Sequence, residues 1–222
     1  MSSTYKVITP PSVEPISLAD AKQYLRVDFS DDDMVIANII IRAREYAEQI
    51  TGRALATQTI QQMDTIERPE GGTLSGPIRP GPSWYVYSEQ LGANPFGPAQ
   101  YYYDLAMPPI QASLGIVVNT KVTAFDAWSP FALTTNLDGS ANFWIDDTSE
   151  PARLYLMDPI TANFWQFIYT CGYTSSYLMP PDLLQPLYEL IGHLYIYREG
   201  TEDSDQFQSI IKKFLLKRVD SV

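Results

Sequence analysis

The residue types that most often carry catalysis are scarce in this chain. Of its 222 residues, one is a histidine, His193, and one is a cysteine, Cys171. A hydrolase built on a nucleophile and an imidazole base would need His193 as that base. His193 falls in the middle of a helical pattern, beside its apolar stripe, so we expect it to be packed or interfacial. No catalytic residue is predicted.

Metal and cofactor sites are also not predicted. Cys171 is isolated in an apolar, strand-like run and is expected to be a small core residue. A single cysteine excludes an internal disulfide and fits assembly in a reducing cytosol. One histidine and one cysteine cannot supply the usual zinc ligands. The sequence has no P-loop, no G-x-G-x-x-G, no C-x-x-C and no H-E-x-x-H motif.

Clustered carboxylates are the remaining candidates for chemistry. The run Asp31–Asp33 could bind Ca²⁺, but consecutive side chains at a helix start point in different directions. The negative charges of these three residues would also complement the positive N-terminal end of the helix dipole, which is enough to explain their presence. Asp146-Asp147 and the Asn136–Asp138 segment fall in predicted turns, where such residues are routine. The sequence does not single out any two carboxylates as a catalytic pair for glycoside hydrolysis.

Two helices are predicted near the N-terminus. Ser17 is expected to cap a short helix, with Asp20 at its third position, and Ser30 to cap a long one. Gly52 supplies the left-handed residue that ends the long helix. Its buried face has the i, i+3, i+4, i+7 spacing. The face comprises Ile36, Ile39, Ile40, Ala43, Tyr46, Ala47 and Ile50.

The middle of the chain has the pattern of strands. Residues 1–15 contain three prolines and are predicted to form an extended arm. Residues 57–64 alternate like a strand, and residues 67–98 are dense in Pro and Gly, with only Trp84 to Tyr87 strand-like. Residues 101–173 hold short aromatic and β-branched segments separated by turns. We therefore predict five to seven strands in this lobe.

The chain then returns to helix. One apolar stripe comprises Leu183, Leu184, Leu187, Leu190, Ile191 and Leu194, and Pro186 places its start nearer Leu184 than Asp182. A last helix follows Gly200. The predicted fold class is α+β, with N- and C-terminal helices packed as a small bundle and an antiparallel β-rich lobe inserted between them. The expected divisions are 1–56, 57–180 with the 67–98 loop, and 181–222.

Composition excludes several classes of protein. The chain is 45% hydrophobic and 18% charged, as folded proteins are. No apolar run approaches eighteen residues, and the start, MSSTYKVITPPS, lacks the pattern of a secretory signal, so no membrane association is expected. The net charge of −11 argues against a grip on nucleic acid. Residues 57–180, with 11 acids and 4 bases, are the most acidic part.

The aromatic content favours contact surfaces. Four Trp, 15 Tyr and 9 Phe are more than a small β lobe needs for its interior. Three interpretations stay open: ordinary core packing, a contact surface between subunits, and a sugar-binding platform. The candidates for inter-subunit contact are Trp84, Tyr85, Tyr87, Tyr101, Tyr102 and Tyr103.

Two segments also resemble a known family, the head–tail connector (adaptor, or head-completion) proteins of tailed bacteriophages. The N-terminal signature of that family is matched at Ile16–Asp28, Asp31–Asp33, Ala43–Leu55 and Thr57–Thr59. A second match begins at Pro180-Pro181-Asp182 and ends with Tyr195, Tyr197, Arg198 and Glu199. The middle is loosely similar, ending in a family-like Tyr169–Tyr173. Together these matches cover about a third of the chain well.

The resemblance implies a non-enzymatic structural protein of the virion neck, made in the host cytoplasm. It implies a dodecameric ring that binds the portal protein on one side and a stopper or tail protein on the other. Genomic DNA would pass through the lumen without specific binding. The acidic middle of the chain would then repel phosphates from the channel wall, with plain solubility as the other explanation.

The C-terminal segment is the candidate for docking on the portal, as a helix in a groove. The residues concerned are Phe207, Ile210, Ile211, Lys212, Lys213, Phe214, Leu215, Lys217 and Arg218. The family often ends in Leu-Leu-x-Pro-Tyr-Arg, whereas this chain has Phe214-Leu215-Leu216-Lys217-Arg218. Two other functions stay open: a glycan- or protein-binding β module of a phage tail, and a virion-associated glycan hydrolase.

Overall fold

The computed structural model describes residues 2–65, 101–111, 115–133, 143–148, 150–156, 162–197 and 205–218. These residues form four α-helices and eight β-strands. The helices are α1 (Leu18–Leu25), α2 (Asp33–Thr51), α3 (Pro181–Ile196) and α4 (Asp205–Leu215). The strands are β1 (Ser2–Thr9), β2 (Gln58–Thr65), β3 (Tyr101–Leu105), β4 (Ile116–Lys121), β5 (Ser129–Phe131), β6 (Phe143–Asp146), β7 (Ala152–Leu156) and β8 (Phe164–Cys171).

The strands form two antiparallel sheets. One has five strands in the order β1-β2-β8-β4-β5, and the other has three in the order β3-β7-β6. Apolar side chains of both sheets share one core, in which the Tyr103 ring lies 5.0 Å from that of Trp165 and 4.9 Å from that of Phe167. The alternation of buried residues along β2, β7 and β8 is that of strands with one covered face.

The four helices pack together around a second core. Its centre is the apolar face of α2, which contacts α1, α3 and α4. The buried members include Ile36, Ile40, Leu183, Leu190 and Phe214. The N- and C-terminal helices therefore form one bundle, with a β-rich region between them in sequence. The predicted α+β class is confirmed.

The N-terminal helices begin differently from one another. The Ser17 hydroxyl accepts a 3.1 Å hydrogen bond from the Asp20 amide, so the predicted cap of α1 is confirmed. The prediction that Ser30 caps α2 is wrong, because α2 begins at Asp33 and its N-cap position is Asp32. Ser30 contributes only its carbonyl, which accepts from the Asp33 amide at 3.1 Å. Gly52, at φ 65°, ends α2 as predicted.

Pro186 does not delay the start of α3. The helix begins at Pro181, so the predicted start near Leu184 is wrong. Proline is favoured at the first helical position, and Pro181 occupies it. Pro186 lies one turn further on and is buried against the bundle, where packing offsets the amide that it lacks. The apolar stripe of this helix is buried as predicted at Leu183, Leu187, Leu190 and Ile191.

The strand pattern identified most of the β-rich region. Seven strands, β2 to β8, lie in the described part of 57–180, and the predicted strand at 57–64 is β2. The short β5 was not predicted, because three residues including Pro130 carry no alternation. The arm at residues 1–15 contains β1, which pairs with β2. The 67–98 loop and the predicted turn at Asn136–Asp138 lie outside the described residues. The domain boundaries stay a prediction.

Gly172 allows the end of β8 to approach the turn after α2. Its φ is +96°, and a Cβ at this position would overlap the backbone carbonyl of Ala56. Its amide donates a 2.8 Å hydrogen bond to the Pro109 carbonyl. Gly115 also has a positive φ, +79°, but a Cβ there would meet no atom within 4 Å.

These two glycines make a matched pair for a stability test. We expect Gly172→Ala to lower the free energy of unfolding by roughly 2 to 5 kcal/mol, since backbone strain and overlap combine. Gly115→Ala should cost only the strain, about 1 kcal/mol. Urea unfolding followed by circular dichroism measures both. Equal losses of unfolding free energy in the two variants would contradict the close approach of Gly172 to the Ala56 carbonyl.

Candidate interaction surface

The apolar stripe of α4 is used within the chain. Phe207, Ile210 and Phe214 are buried, and the Phe207 ring lies 5.7 Å from the Tyr46 ring and 5.3 Å from the His193 ring. Three of the predicted portal-docking residues therefore pack against α2 and α3 in this structure. The helix is fixed to the bundle by the same pattern that suggested a docking role.

The opposite side of α4 and the turn after it are exposed. Leu215 and Leu216 are 47% and 84% exposed, and Lys212, Lys213 and Arg218 are also exposed. Ile211 is half-buried, as is Lys217. Ile211 packs against the core of the bundle, so it does not belong to the exposed side. We call the remaining apolar and basic residues of this segment the α4 surface, which comprises Lys212, Lys213, Leu215, Leu216, Lys217 and Arg218.

Two ion pairs join the α4 surface to α3. The ammonium group of Lys213 lies 2.5 Å from a carboxylate oxygen of Glu189, and that of Lys217 lies 2.7 Å from Asp182. All four side chains are at least partly exposed, so each pair adds little to stability. The pairs instead fix where these two ammonium groups are presented.

Arg53 holds the end of this segment from beneath. Its guanidinium donates through Nε to the Lys217 carbonyl at 2.9 Å and through Nη1 to Glu150 at 2.8 Å. Nη2 forms a second, short contact with the same carboxylate. Arg53 is 8% exposed and directly follows Gly52, the end of α2. One side chain thus joins the C-terminus of α2, the loop before β7 and the turn after α4.

A second buried arginine lies inside α2. Arg44 Nη1 donates to Glu48 at 2.9 Å, and Arg44 Nε donates to Glu14 at 2.8 Å. Glu48 also accepts from the Leu55 amide at 2.8 Å and from Gln58 Nε2 at 3.1 Å. Burial raises the pKa of Glu48 above its ordinary value, against the opposing effect of these donors. The sequence pattern gave no sign of this network, since it marks apolar residues only.

The acidic run before α2 has protein partners. Asp33 lies 2.5 Å from the Lys22 ammonium group, and Asp32 accepts a 2.6 Å hydrogen bond from the Tyr195 hydroxyl. These contacts tie the start of α2 to α1 and α3. Across the described ranges, no group of three or more His, Cys, Asp or Glu side chains is arranged to hold a metal ion.

His193 and Cys171 are both packed as predicted. The His193 ring is 3% exposed and lies 4.7 Å from the Tyr197 ring. Cys171 is fully buried, and its burial raises the pKa of the thiol. A thiol held in its neutral form is a weak nucleophile, which agrees with a role in the core.

The predicted inter-subunit aromatic residues are not brought together as one described surface. Trp84, Tyr85 and Tyr87 lie outside the described residues. Tyr101 and Tyr102 belong to β3, and their backbones pair with Leu156 and Tyr155. Tyr103 is 5% exposed and packs in the core of the chain itself. A contact role for this set stays a prediction.

Exposed apolar side chains occur elsewhere, at positions that the sequence pattern did not mark. Phe125, Tyr177 and Met34 are 98%, 97% and 80% exposed. Tyr5, Val7 and Ile8 on β1 are each 45% exposed. Single exposed apolar residues are ordinary, but a row of them along a strand edge is not. None of the helices in the described part of the chain has the length and hydropathy needed to cross a membrane.

The Arg53 contacts generate a first prediction for this surface. We expect Arg53→Ala to lower the free energy of unfolding by about 1 to 3 kcal/mol, because it removes charge-assisted hydrogen bonds at a buried site. Hydrogen exchange at residues 207–218 should increase most. Arg42→Ala, on the exposed side of α2, is the matched control and should leave both measurements unchanged. Unchanged protection of α4 in Arg53→Ala would contradict the role of Arg53.

The carboxylate of Glu150 generates a second prediction. The hydrogen bonds from Arg53, with a smaller effect of the Lys217 charge, lower the pKa of Glu150 below its ordinary 4.5. The folded state therefore binds the proton less well than the unfolded state. The stability that this carboxylate contributes is complete above pH 4.5 and is lost as the pH falls through its folded pKa.

Wild type should accordingly exceed Glu150→Gln in stability at pH 7, and the difference should shrink as the pH falls below 4.5. Chemical unfolding at a series of pH values measures it. Asp147→Asn, a change of an exposed carboxylate in the same loop, is the matched control for the loss of a charge at this place. A stability difference between wild type and Glu150→Gln that grows toward low pH would contradict the lowered pKa of Glu150.

Comparison with known proteins supports the resemblance in the N-terminal segment. Residues 15–72 match the family described as "Phage gp6-like head-tail connector protein". This segment includes α1, α2 and β2, together with Arg44, Glu48 and Arg53. No curated protein sequence matches the chain.

Solved structures with the same fold come from gene transfer agent particles, two of them from the neck and one from the whole virion. A chain from the neck of an empty gene transfer agent (GTA) particle, computed with C6 symmetry, matches with a TM-score of 0.64 and 16% identity. The match covers 99% of this chain and 97% of that one. A chain from the virion of the native GTA particle has a TM-score of 0.62 at 16% identity, over 98% and 96% of the two chains.

A chain from the neck of the native GTA particle, computed with C12 symmetry, has a TM-score of 0.59 at 15% identity. That match covers 99% of this chain and 97% of that one. At these identities the likeness shows the fold, which extends over almost the whole chain. The resemblance to the head–tail connector family of tailed bacteriophages, first seen in the N-terminal signature, is confirmed by the family match at residues 15–72.

Proposed function

We infer that this protein is a structural component of a virion neck, a head–tail connector that assembles as a ring. The observation that carries the proposal is the coincidence of the family match at residues 15–72 with a neck-protein fold over 99% of the chain. The protein acts by fitting against its partners, and no bond is made or broken. Its place is the head–tail interface of a particle, after synthesis in the host cytoplasm.

The ring follows from a simple condition. A heterologous contact that repeats around a rotation axis closes into a ring when the rotation divides a full turn evenly. The related folds come from necks computed with C6 and with C12 symmetry, and a dodecameric ring satisfies both. The proposed divisions at residues 56 and 180 delimit a region in which Tyr101, Tyr102 and the 67–98 loop would contact neighbouring subunits.

The α4 surface is our proposed site for the portal protein. Leu215 and Leu216 offer exposed apolar area beside the charges of Lys212 and Arg218. An apolar centre with a charged rim is typical of specific interfaces, and basic groups suit an acidic groove. The buried stripe of Phe207, Ile210 and Phe214 supports the contact by fixing α4 on the bundle. A stopper or tail protein would bind the opposite side of the ring.

The DNA channel is proposed to have an acidic wall. The chain has a net charge of −11, and 11 of its 26 acidic residues lie in 57–180. Like charges on the wall and on the phosphates would let DNA slide without binding. Plain solubility is the competing explanation for the same charge.

A surface variant tests the portal contact better than a truncation does. Deletion of residues 201–222 would remove Phe207, Ile210 and Phe214 from the core of the bundle. We instead expect Leu216→Asp combined with Lys212→Glu to weaken binding to purified portal rings at least tenfold, while the circular dichroism spectrum stays unchanged. Co-sedimentation with portal rings measures the binding.

Met34→Asp is the matched control, because Met34 is 80% exposed and Leu216 is 84% exposed. This control should bind portal rings like wild type. Full binding by the Leu216 and Lys212 variant would refute the docking surface. Failure of the wild-type protein to bind any portal ring, together with the absence of rings in negative-stain images, would refute the proposed function itself.

A further inference from the structure

Among the described residues, the five-stranded sheet has an open edge at each end. β1 forms one edge and β5 the other, and neither pairs with a further strand among the described residues. An open edge presents backbone N–H and C=O groups that can pair with another chain. The edge at β1 is eight residues long, and its residues from Thr4 onward are exposed.

One row of side chains crosses this sheet from edge to edge. Tyr5 pairs with Gln62, Gln62 with Phe167, Phe167 with Val118, and Val118 with Phe131. Cross-strand partners lie on the same face of a sheet. Phe167 and Val118 are buried against the second sheet, whereas Tyr5 is 45% exposed and Phe131 is only partly buried. The row, which also contains the buried Gln62, is therefore covered in its middle and only partly covered at both ends.

The neighbouring positions show the same arrangement. Val7 lies two residues after Tyr5, on the same face, and is 45% exposed. Leu133 lies two residues after Phe131 and is partly buried against the core that the two sheets share. Each edge thus carries a pair of incompletely covered apolar side chains with the same spacing.

Both edges are also poor in acid. Residues 2–13 contain one charged side chain, Lys6, and residues 115–133 contain two, Lys121 and Asp126. The whole chain carries 26 acidic residues against 15 basic ones. Two copies of such a chain repel each other over most of their surfaces, and like charges opposed at an interface cost several kcal/mol. A second copy can therefore approach the β1 edge or the β5 edge without facing a row of carboxylates.

We propose that the β5 edge of one copy pairs with the β1 edge of the next copy, so that their five-stranded sheets become continuous around the ring. This inference rests on the proposed function and names the contact between subunits. Every pairing within the sheet is antiparallel, so in five strands β1 and β5 run in the same direction. A neighbour related by a small rotation would then present β1 parallel to β5.

The cross-strand pairs within the sheet determine which residues of β5 and β1 would meet between two copies. Phe131 of one copy would lie level with Tyr5 of the next, and Leu133 with Val7. Pro130 lies in the row of Asn119, Gln166, Met63 and Thr4. Because Pro130 has no N–H, the backbone ladder would be short, and burial of the four apolar side chains would supply most of the attraction.

Cysteine cross-linking tests this register directly. Thr4 and Pro130 are exposed and share a row, and the native Cys171 is buried. The full-length Thr4→Cys/Pro130→Cys protein, alone and mixed with portal rings, is treated with a short bismaleimide. We expect a ladder of covalent dimers, trimers and larger species on a denaturing gel. A mixture of the two single variants should give dimers and nothing larger.

The controls separate this contact from its alternatives. Each single variant alone should stay monomeric on the gel, and so should Thr4→Cys/Tyr177→Cys, whose second position is 97% exposed elsewhere. Dimers from Thr4→Cys alone would show symmetric pairing of two β1 strands and overturn the proposal. Absence of a ladder from the double variant, where wild-type rings are visible by negative stain, would overturn the proposal and leave the proposed function standing.

A second variant tests the apolar contribution without cross-linking. Val7→Lys should weaken self-association at least tenfold in sedimentation velocity, with an unchanged circular dichroism spectrum. Tyr177→Lys should associate like wild type. Equal association of Val7→Lys and wild type would overturn the proposal, whereas a wild-type protein that neither self-associates nor binds portal would remove the proposed function as well.

Discussion

The burial of the apolar face of α2 is the constraint on which the rest of this structure depends. That face packs against α1, which precedes it by a few residues, and against α3 and α4, which follow it by more than a hundred. The β-rich region must therefore leave the bundle and return to it at nearly the same place. The chain meets this requirement by pairing β2, directly after α2, with β8, shortly before α3. Gly172 permits the close approach, because only a residue without Cβ fits beside Ala56.

Two arginines connect the bundle to the sheets at this crossing. Arg44 and Glu48 are buried, and a buried ion pair is costly unless its remaining donors and acceptors are satisfied. Here Glu14, the Leu55 amide and Gln58 satisfy them, so the pair fixes the arm before α1 and the start of β2 relative to α2. Arg53 does the same for the turn after α4. The orientation of the α4 surface thus depends on polar contacts, whereas its attachment to the bundle depends on apolar ones.

Local chemistry explains what could be predicted from the sequence. The face of α2, the Ser17 cap, the Gly52 end and the buried stripe of α3 each follow from short-range spacing, and all are confirmed. The starts of α2 and α3 were wrong, since a serine near a helix start and a proline within the first two turns each allow more than one beginning. β5 was missed because three residues show no period. The pairing order of the strands and the contacts of Arg44 and Arg53 depend on long-range packing, which spacing does not encode.

The α4 surface is a second example of what residue spacing cannot predict. The helical pattern that suggested docking by Phe207, Ile210 and Phe214 is also the pattern of a helix packed in its own bundle, and sequence alone does not separate the two. The exposed side, with Leu215, Leu216, Lys212 and Arg218, has no period that marks it. The sheet edges also lack a period that marks them. Tyr5 and Val7 lie on the face of the sheet that is buried at its middle strands, but at the edge they are only partly covered. In an acidic chain whose copies repel one another, apolar residues at such ends provide the attraction that net charge cannot.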